Sequence, residues 1–477
     1  MVRPTRTEKW LRPVLLAAAV LGIVYSSPLP FFWDTIQLGS KHAHHYYHTG
    51  FAQFLLPDAI DSGHPPFFGM YLAAAWMLFG KSLAVSHWAM LPFVLGVVGL
   101  LFPVGRYFAE DWGWVFPLLA LALPPLSGQM VLVSPDVVLV FGFLLGLYGL
   151  LYRKGWALAL GALLLAAIST RGMMTVVILF LFDLYLRLSL PNREENKLIA
   201  YLKEMLGALP PYILSGLLAL AFLLYHYLEK GWVGYHAGSE WAPSFARVGL
   251  RGLLKNGLVL GWRLADYGMV FSWVALWLVI WRKPTTFRHP KVHSALWLAG
   301  ISLVLLTPTF LLYSGLQQHR YLLPLLLSVL LLTFTAIAQS SWSHTWKAPL
   351  FALLFTGLIT GHFWVYPDHV AQSWDTTLAH LPYYRLKSRM IAYLDEQGIP
   401  LETVGAAFPE IGPQYYKDLS GRTSGFAPKD LSKQRYILYS NVMNDFSDGE
   451  LERLREEWTV VKPFESGSIK LILFGKL

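Results

Sequence analysis

The sequence predicts a mostly α, polytopic membrane protein: a bundle of about eleven apolar spans with interfacial helices in its first external loop, followed by a small C-terminal α/β domain. Three observations predict it. Of 477 residues, 55% are hydrophobic and only 14% charged, against about 25% charged in an ordinary soluble domain. Mean hydropathy is +0.45. The 19 Trp and 24 Tyr suit a protein with two membrane–water interfaces to line. There is no Cys, which excludes disulfides and thiolate chemistry and leaves the compartment open.

The chain opens on MVRPTRTEKWLRPVLLAAAVLGIVYSSPLPFF, a basic start and an apolar run from Val14 to Tyr25. Aromatic residues and prolines follow, with no clear small-residue cleavage site, so this reads as an uncleaved first span. Spans are expected near 13–29, 87–107, 114–132, 137–152, 156–170, 173–188, 206–228, 268–282, 294–314, 322–341 and 348–366. The short pair at 156–170 and 173–188 is separated by Arg171 and Gly172 and has the spacing of a re-entrant pair.

Lys and Arg set the orientation. With the N-terminus cytoplasmic, that side receives Arg3, Arg6, Lys9, Arg12, Arg106, Arg153, Lys154, Arg187, Arg193, Lys197, Lys203, Arg282, Lys283, Arg288, Lys291 and Lys347. The other side of the membrane region receives fewer: Lys41, Lys81, Arg171, Lys230, Arg247, Arg251, Lys255, Arg263 and Arg320. The positive-inside rule supports this arrangement. It also accounts for much of the net charge of +9, so no nucleic-acid partner is needed.

Three segments then lie outside, expected here to be the periplasmic face of a bacterial inner membrane. The first runs from about 30 to 87. The second, about 229–267, contains SFARVGLRGLLKNGLVLGWRLADYG, where Arg247, Arg251 and Lys255 recur every four residues beside apolar neighbours. That pattern suits an amphipathic helix on the membrane surface. The third is the charged tail, which divides the chain into a membrane domain (1–366) and an external domain (367–477). A helix is expected over Arg385–Gln397. Strands are expected in ETVGAAF, RYILYS, WTVVKPF and IKLILFG, and a second helix in DGELERLREEW with Asp448 as its N-cap.

Ionisable residues at span ends carry the candidate chemistry, because charge at membrane depth is costly. Asp34 sits just beyond the first span in PFFWDTIQ; position alone fits an interfacial carboxylate or a general base. Asp136 opens a span in VLVSPDVVLVFGF, where Ser-Pro-Asp is also an ordinary helix start. In DSGHPPFFG, Asp61 and His64 flank a turn made rigid by Gly63 and Pro65-Pro66. His319 and Arg320 in QQHRYLLP, and Arg171, stand at other external span ends. An arginine there either grips phosphate with its planar fork or snorkels to headgroups. His42, His44, His45 and His48 crowd one stretch, of which His44 and His48 have same-face helical spacing. A zinc site needs three or four ligands, so no metal site is assigned.

In this order, these features resemble the GT-C class of membrane glycosyltransferases. The likeness is to the family of protein O-mannosyltransferases and lipid A aminoarabinose transferases, and it covers roughly 1–340. It rests on Asp34, GHPPFFGMYLAAAWMLFG, SPDVVLVFGF, Arg171-Gly172 and RYLLP. The chain departs from the pattern at Thr35, where the family commonly has Glu, and at Arg171, where Lys is frequent. The resemblance implies an inverting transferase moving a sugar from a polyprenyl-phosphate donor to an acceptor hydroxyl of a protein, lipid A or a glycan. It makes Asp34 and Asp136 catalytic, and Arg171, Arg320 and His319 holders of donor phosphate. His64, His44, His45 and Asp61 would line the substrate pocket. No cofactor is expected, although oligosaccharyl-transferring relatives use a divalent metal. The rival readings are a surface-polysaccharide polymerase or ligase, and a lipid-linked glycan transporter, against which the lack of an internal repeat argues.

Overall fold

The structure, a computed structural model, describes residues 4–189, 197–239 and 241–476. Arg3 and Arg193 of the charge asymmetry, and the Lys197 side chain, lie outside the described part.

A helix stands at every expected span. In order they are Arg6–Ser26, Leu91–Phe108, Val115–Ala122 with Pro124–Met130, Pro135–Leu151, Gly155–Ile168, Thr170–Leu188, Ile213–Lys230, Val270–Arg282, Pro290–Leu312, Leu323–Gln339 and His344–Gly361. The expected count of eleven crossings is not reproduced. Among the described residues, 5 helices are long and apolar enough to cross a membrane, or up to 7 if each bent pair is one span. The span expected at 114–132 is broken because Leu123 is extended and Pro124 carries no N–H. The chain then bends by 119° into Pro135–Leu151. Gly155–Ile168 has 14 residues, or about 21 Å of helix, short of the roughly 30 Å hydrocarbon thickness.

The bundle is apolar both inside and on its outer face. The helix run His319–Gln339 is its buried axis, 94% of its apolar window being enclosed. Large apolar side chains such as Leu21, Leu217, Leu220, Trp281 and Val304 are exposed on the outer helices, where lipid is their solvent. Leu250–Ala265 turns Leu250, Leu254 and Leu258 outward, with Arg251 and Lys255 exposed beside them. It meets Val270–Arg282 at 85°. Arg247 lies before this helix, in a bridge to Tyr313.

In the C-terminal domain, strands β1 (Val404–Ala406), β2 (Gly412–Pro413), β3 (Gly425–Pro428), β4 (Tyr436–Ser440), β5 (Trp458–Ser466) and β6 (Ile469–Lys476) form one sheet in the order β2-β3-β1-β4-β6-β5. The four strands read from sequence are β1, β4, β5 and β6. β2 and β3 are too short to show a period. Leu381–Glu396 packs across β5 and β6. The helix Asp448–Glu457 is capped by Ser447 in a capping box with Glu450, not by Asp448 as expected. Ser447 has the extended backbone and the three-residue reach to Glu450 that the motif needs.

The C-terminal core does not stop at its own sequence. Phe32, Trp33 and Leu132 are buried in the same cluster as Trp374, Tyr383 and Val404. Phe32 stacks on His380 at 4.5 Å, Trp33 meets Phe408 edge-on at 5.1 Å, and the Phe31 amide donates to the Lys417 carbonyl at 2.7 Å. The turn that carries Asp34 is therefore clamped by the tail.

Candidate active site

Asp34 follows Trp33, a non-glycine residue held at φ 56. Backbone in that region costs of order 1–3 kcal/mol and persists only where its surroundings fix it. Burial of the Trp33 ring and the side chain of Thr35 do so. Thr35 Oγ1 donates to the Phe32 carbonyl at 2.7 Å and accepts from its amide at 3.0 Å. Thr35, the departure from the family pattern, is thus a structural latch of this turn. The chain continues as a π-helical turn, Ile36–Lys41, into the helix His42–Thr49.

Three other elements bring their polar ends to Asp34. Ser134 caps Pro135–Leu151, leaving Asp136 in the first turn with its carboxylate free to face inward. Ser169 caps Thr170–Leu188 through the Gly172 amide. Gly172 permits this tight turn, since a Cβ there would strike the Leu165 carbonyl. The turn His319–Leu322 presents Arg320.

Arg320 is the hub. Its guanidinium, 2% exposed, donates to Asp34 Oδ2 and, at 3.1 Å, to Asp136 Oδ2. Its Nε lies 3.0 Å from Asp375 Oδ2. Arg171 Nη1 pairs with the other oxygen of Asp136 at 2.9 Å. Both guanidinium groups lie over the Tyr321 ring, at 4.5 Å and 4.8 Å. Three carboxylates thus surround two largely buried cations, so the cluster holds only as a unit. Among the described residues, Arg171 Nε and Nη2 and Asp34 Oδ1 have no protein hydrogen-bond partner.

These unspent groups face a cavity of about 130 Å³. Asp34, Ser62, His64, Thr170, Arg171, Arg320 and Tyr321 form its polar side, and Leu38, Met174, Tyr235, Trp241, Phe245 and Leu316 the other. A narrower extension reaches Asp136 past Ser169 and shares His64 and Arg171. His64 Nδ1 meets Thr170 Oγ1 at 3.1 Å. Burial, seconded by Arg171, pushes the His64 pKa down to about 3, so the ring is neutral. Burial also raises the pKa of Asp375, against the pull of Arg320.

Asp34, Asp136, His64, Arg171 and Arg320 are therefore brought together as expected from the sequence, whereas four other residues are not. His319 points away, 3.0 Å from Asp266 and 3.1 Å from Ser373, because the single turn carrying Arg320 sends its neighbour to the opposite side. Asp61 is buried against His226 at 3.1 Å and accepts from the Gly63 amide at 2.8 Å. It ties the first loop to the end of the helix Ile213–Lys230, beside the Lys230–Asp58 pair at 2.7 Å. His44 bonds the Ser40 carbonyl at 2.9 Å and packs among Trp76, Tyr415 and Tyr416. His45 sits edge-on to Tyr46. Neither ring lines the cavity. The histidines diverge along one helix, and among the described residues no group of three or more His, Cys, Asp or Glu is placed to hold a metal ion.

No protein-family model and no curated protein matches the sequence. Comparison of structures finds ArnT from Cupriavidus metallidurans bound to undecaprenyl phosphate, with TM-score 0.53, 13% identity and 98% of each chain covered. The same protein in the apo state gives TM-score 0.50 at the same identity and coverage. The chain has a GT-C fold. A weaker likeness, TM-score 0.47 at 11% identity over 98% of this chain and 40% of the other, is to the arabinofuranosyltransferase AftD from mycobacteria.

Within this GT-C fold, sequence reasoning missed Asp375, Tyr321 and the aromatic wall Tyr235, Trp241 and Phe245. Tyr321 stands beside Arg320 in RYLLP, where an aromatic next to an arginine is itself a stacking signal. For Asp375 the one signal was a Trp-Asp pair, Trp374-Asp375, at the start of a charged tail. The backbone carbonyl of Asp375 is held by Gln129 at 2.8 Å.

Proposed function

We propose that this integral membrane protein is an inverting glycosyltransferase. It moves a sugar from a polyprenyl-phosphate donor to an acceptor hydroxyl at the external face of a bacterial inner membrane. Its N-terminus is cytoplasmic, residues 1–366 form the catalytic membrane unit, and the 367–477 domain is external. The observation that carries this reading is one cavity in which an open carboxylate oxygen, on Asp34, faces unspent arginine donors, on Arg171. The ArnT likeness, to a structure holding undecaprenyl phosphate, supports it.

Asp34 Oδ1 takes the proton of the acceptor hydroxyl. The hydroxyl oxygen attacks the anomeric carbon from the face opposite the phosphate. The carbon–oxygen bond to phosphate breaks, and polyprenyl phosphate departs with the electron pair. Arg171 meets the charge that develops on the leaving oxygen, and Arg320 meets it as its fork turns from Asp34. Asp136 fixes the angle between the two guanidinium groups, and Asp375 holds Arg320 from the tail side. Neutral His64 and the aromatic wall enclose the sugar. Phosphate is already a good leaving group, so the reading needs no metal.

The test is a membrane assay with a panel of radiolabelled polyprenyl-phosphate sugars. Transfer of one label to a protein, lipid A or glycan fraction supports the reading and names the sugar and acceptor. Turnover only of preassembled glycans on lipid diphosphates would overturn it in favour of a polymerase or ligase.

A further inference from the structure

A second cavity, about 670 Å³, opens at the other end of the bundle. Pro135–Leu151 runs from Asp136 to this end, and its 17 residues span about 25 Å. The cavity lining is sorted along the helices. At the bundle end stand Arg106, Tyr152 and Trp156, and deeper in, Leu16, Leu95, Gly99 and Leu145, with Arg12 and Tyr148 between them. An amphiphile of that leaflet has the same sorting.

The two arginines differ. Arg106 is held by the buried carboxylate of Glu8, with Nε at 3.0 Å. Arg12 has no carboxylate within ion-pair distance among the described residues. Its guanidinium reaches inward over Gly99, where an added Cβ would meet only Arg12 Nη2, at 3.9 Å. Gly99 lies seven residues along the helix from Arg106, so the Arg12 guanidinium meets that helix about 10 Å from the Arg106 backbone. Arg12 is exposed just before the apolar run of its helix, and an anionic headgroup would neutralise its unpaired charge. The Tyr148 hydroxyl, also without a protein acceptor among the described residues, can donate to the same group. Basic pockets between spans are a recurrent mode of acidic-lipid binding.

We infer that this cavity binds an anionic diacyl glycerophospholipid of the leaflet opposite the Asp34 site, its phosphate on Arg12. Delipidated full-length protein titrated with phosphatidylglycerol, phosphatidylcholine or undecaprenyl phosphate, with bound lipid counted by native mass spectrometry, tests it. Phosphatidylglycerol should be retained over phosphatidylcholine. Retention should fall at least about tenfold, or 1.4 kcal/mol, in Arg12→Gln, and as far in Gly99→Leu, which fills the cavity and keeps the charge. Arg153→Gln, an exposed cation outside the cavity, should leave it unchanged. Equal retention of phosphatidylcholine, undiminished retention in both cavity variants, or an Arg12-dependent preference for undecaprenyl phosphate would each overturn the inference. A loss in Arg153→Gln equal to that in Arg12→Gln would reduce it to general surface charge.

Discussion

Replacing Arg320 by Ala isolates what holds the site together. The guanidinium touches Asp34, Asp136 and Asp375 and is 2% exposed. Its loss leaves Asp136 with Arg171 alone and takes from Asp34 and Asp375 their cation. Removing one partner of a buried pair costs about 3–5 kcal/mol, since the other charge stays buried and uncompensated. Carboxylates so placed respond by taking up protons. Burial already raises the pKa of Asp375 and Arg320 pulls it down, so deletion of Arg320 raises it further. A carboxyl whose folded-state pKa exceeds its unfolded value adds stability in acid, and that stability is lost as pH rises through the folded value. The Arg320→Ala protein should therefore be destabilised by about 3–5 kcal/mol near neutral pH, and should recover part of that loss on acidification toward the ordinary carboxylate range. Wild-type protein should gain less over the same interval. Tryptophan fluorescence during thermal unfolding of the full chain in detergent, at the two pH values, reads the difference. Arg320→Lys should fall between, because one ammonium cannot reach all three carboxylates. Equal unfolding temperatures for wild type and Arg320→Ala at both pH values would refute the electrostatic unit.

Asp375→Asn leaves Arg320 two of its carboxylates, so the fold should survive; turnover should drop about tenfold, or 1.4 kcal/mol, with little change in the donor KM and partial rescue by Asp375→Glu. A change confined to thermal stability would deny Asp375 a positioning role. Arg171→Gln removes the unspent donors and should raise the donor KM by about tenfold or more, as expected for a lost charge-assisted phosphate contact; an unchanged donor titration would place the phosphate elsewhere. Gly63 sits at φ +68 and a Cβ there would strike the Gly234 carbonyl. Gly63→Ala should therefore part the two loops over the cavity at a cost of roughly 1–3 kcal/mol, seen as faster proteolysis within 56–64 and 231–239; proteolysis at the wild-type rate would show that the loops do not depend on this contact.

Span positions and the convergence of Asp34, Asp136, Arg171 and Arg320 were legible because apolar runs end where charge begins, and one face collects those ends. The direction a side chain takes from such an end was not legible. His319 and Arg320 are neighbours on one turn, yet one serves the Asp266 network and the other the cavity. The histidines drew attention by their number, but each finds a nearby carbonyl or ring, a local solution that spacing does not reveal. Asp375 and the aromatic wall come from segments without periodicity, and only the packing of the tail on Phe32 and Trp33 brings the tail within reach of the site.

The central claim is that Asp34 accepts the proton of the attacking hydroxyl. Asp34→Asn keeps the side chain's shape and an oxygen for Arg320 but cannot take that proton. With purified wild-type and Asp34→Asn protein, the measurement is single-turnover transfer from the labelled donor identified in the membrane assay, alongside donor binding by filtration. The account predicts that the variant binds donor within about twofold of wild type and transfers at least about a thousandfold more slowly, in keeping with the scale of general-base catalysis. Transfer by Asp34→Asn at near wild-type rate, with donor bound, would contradict it.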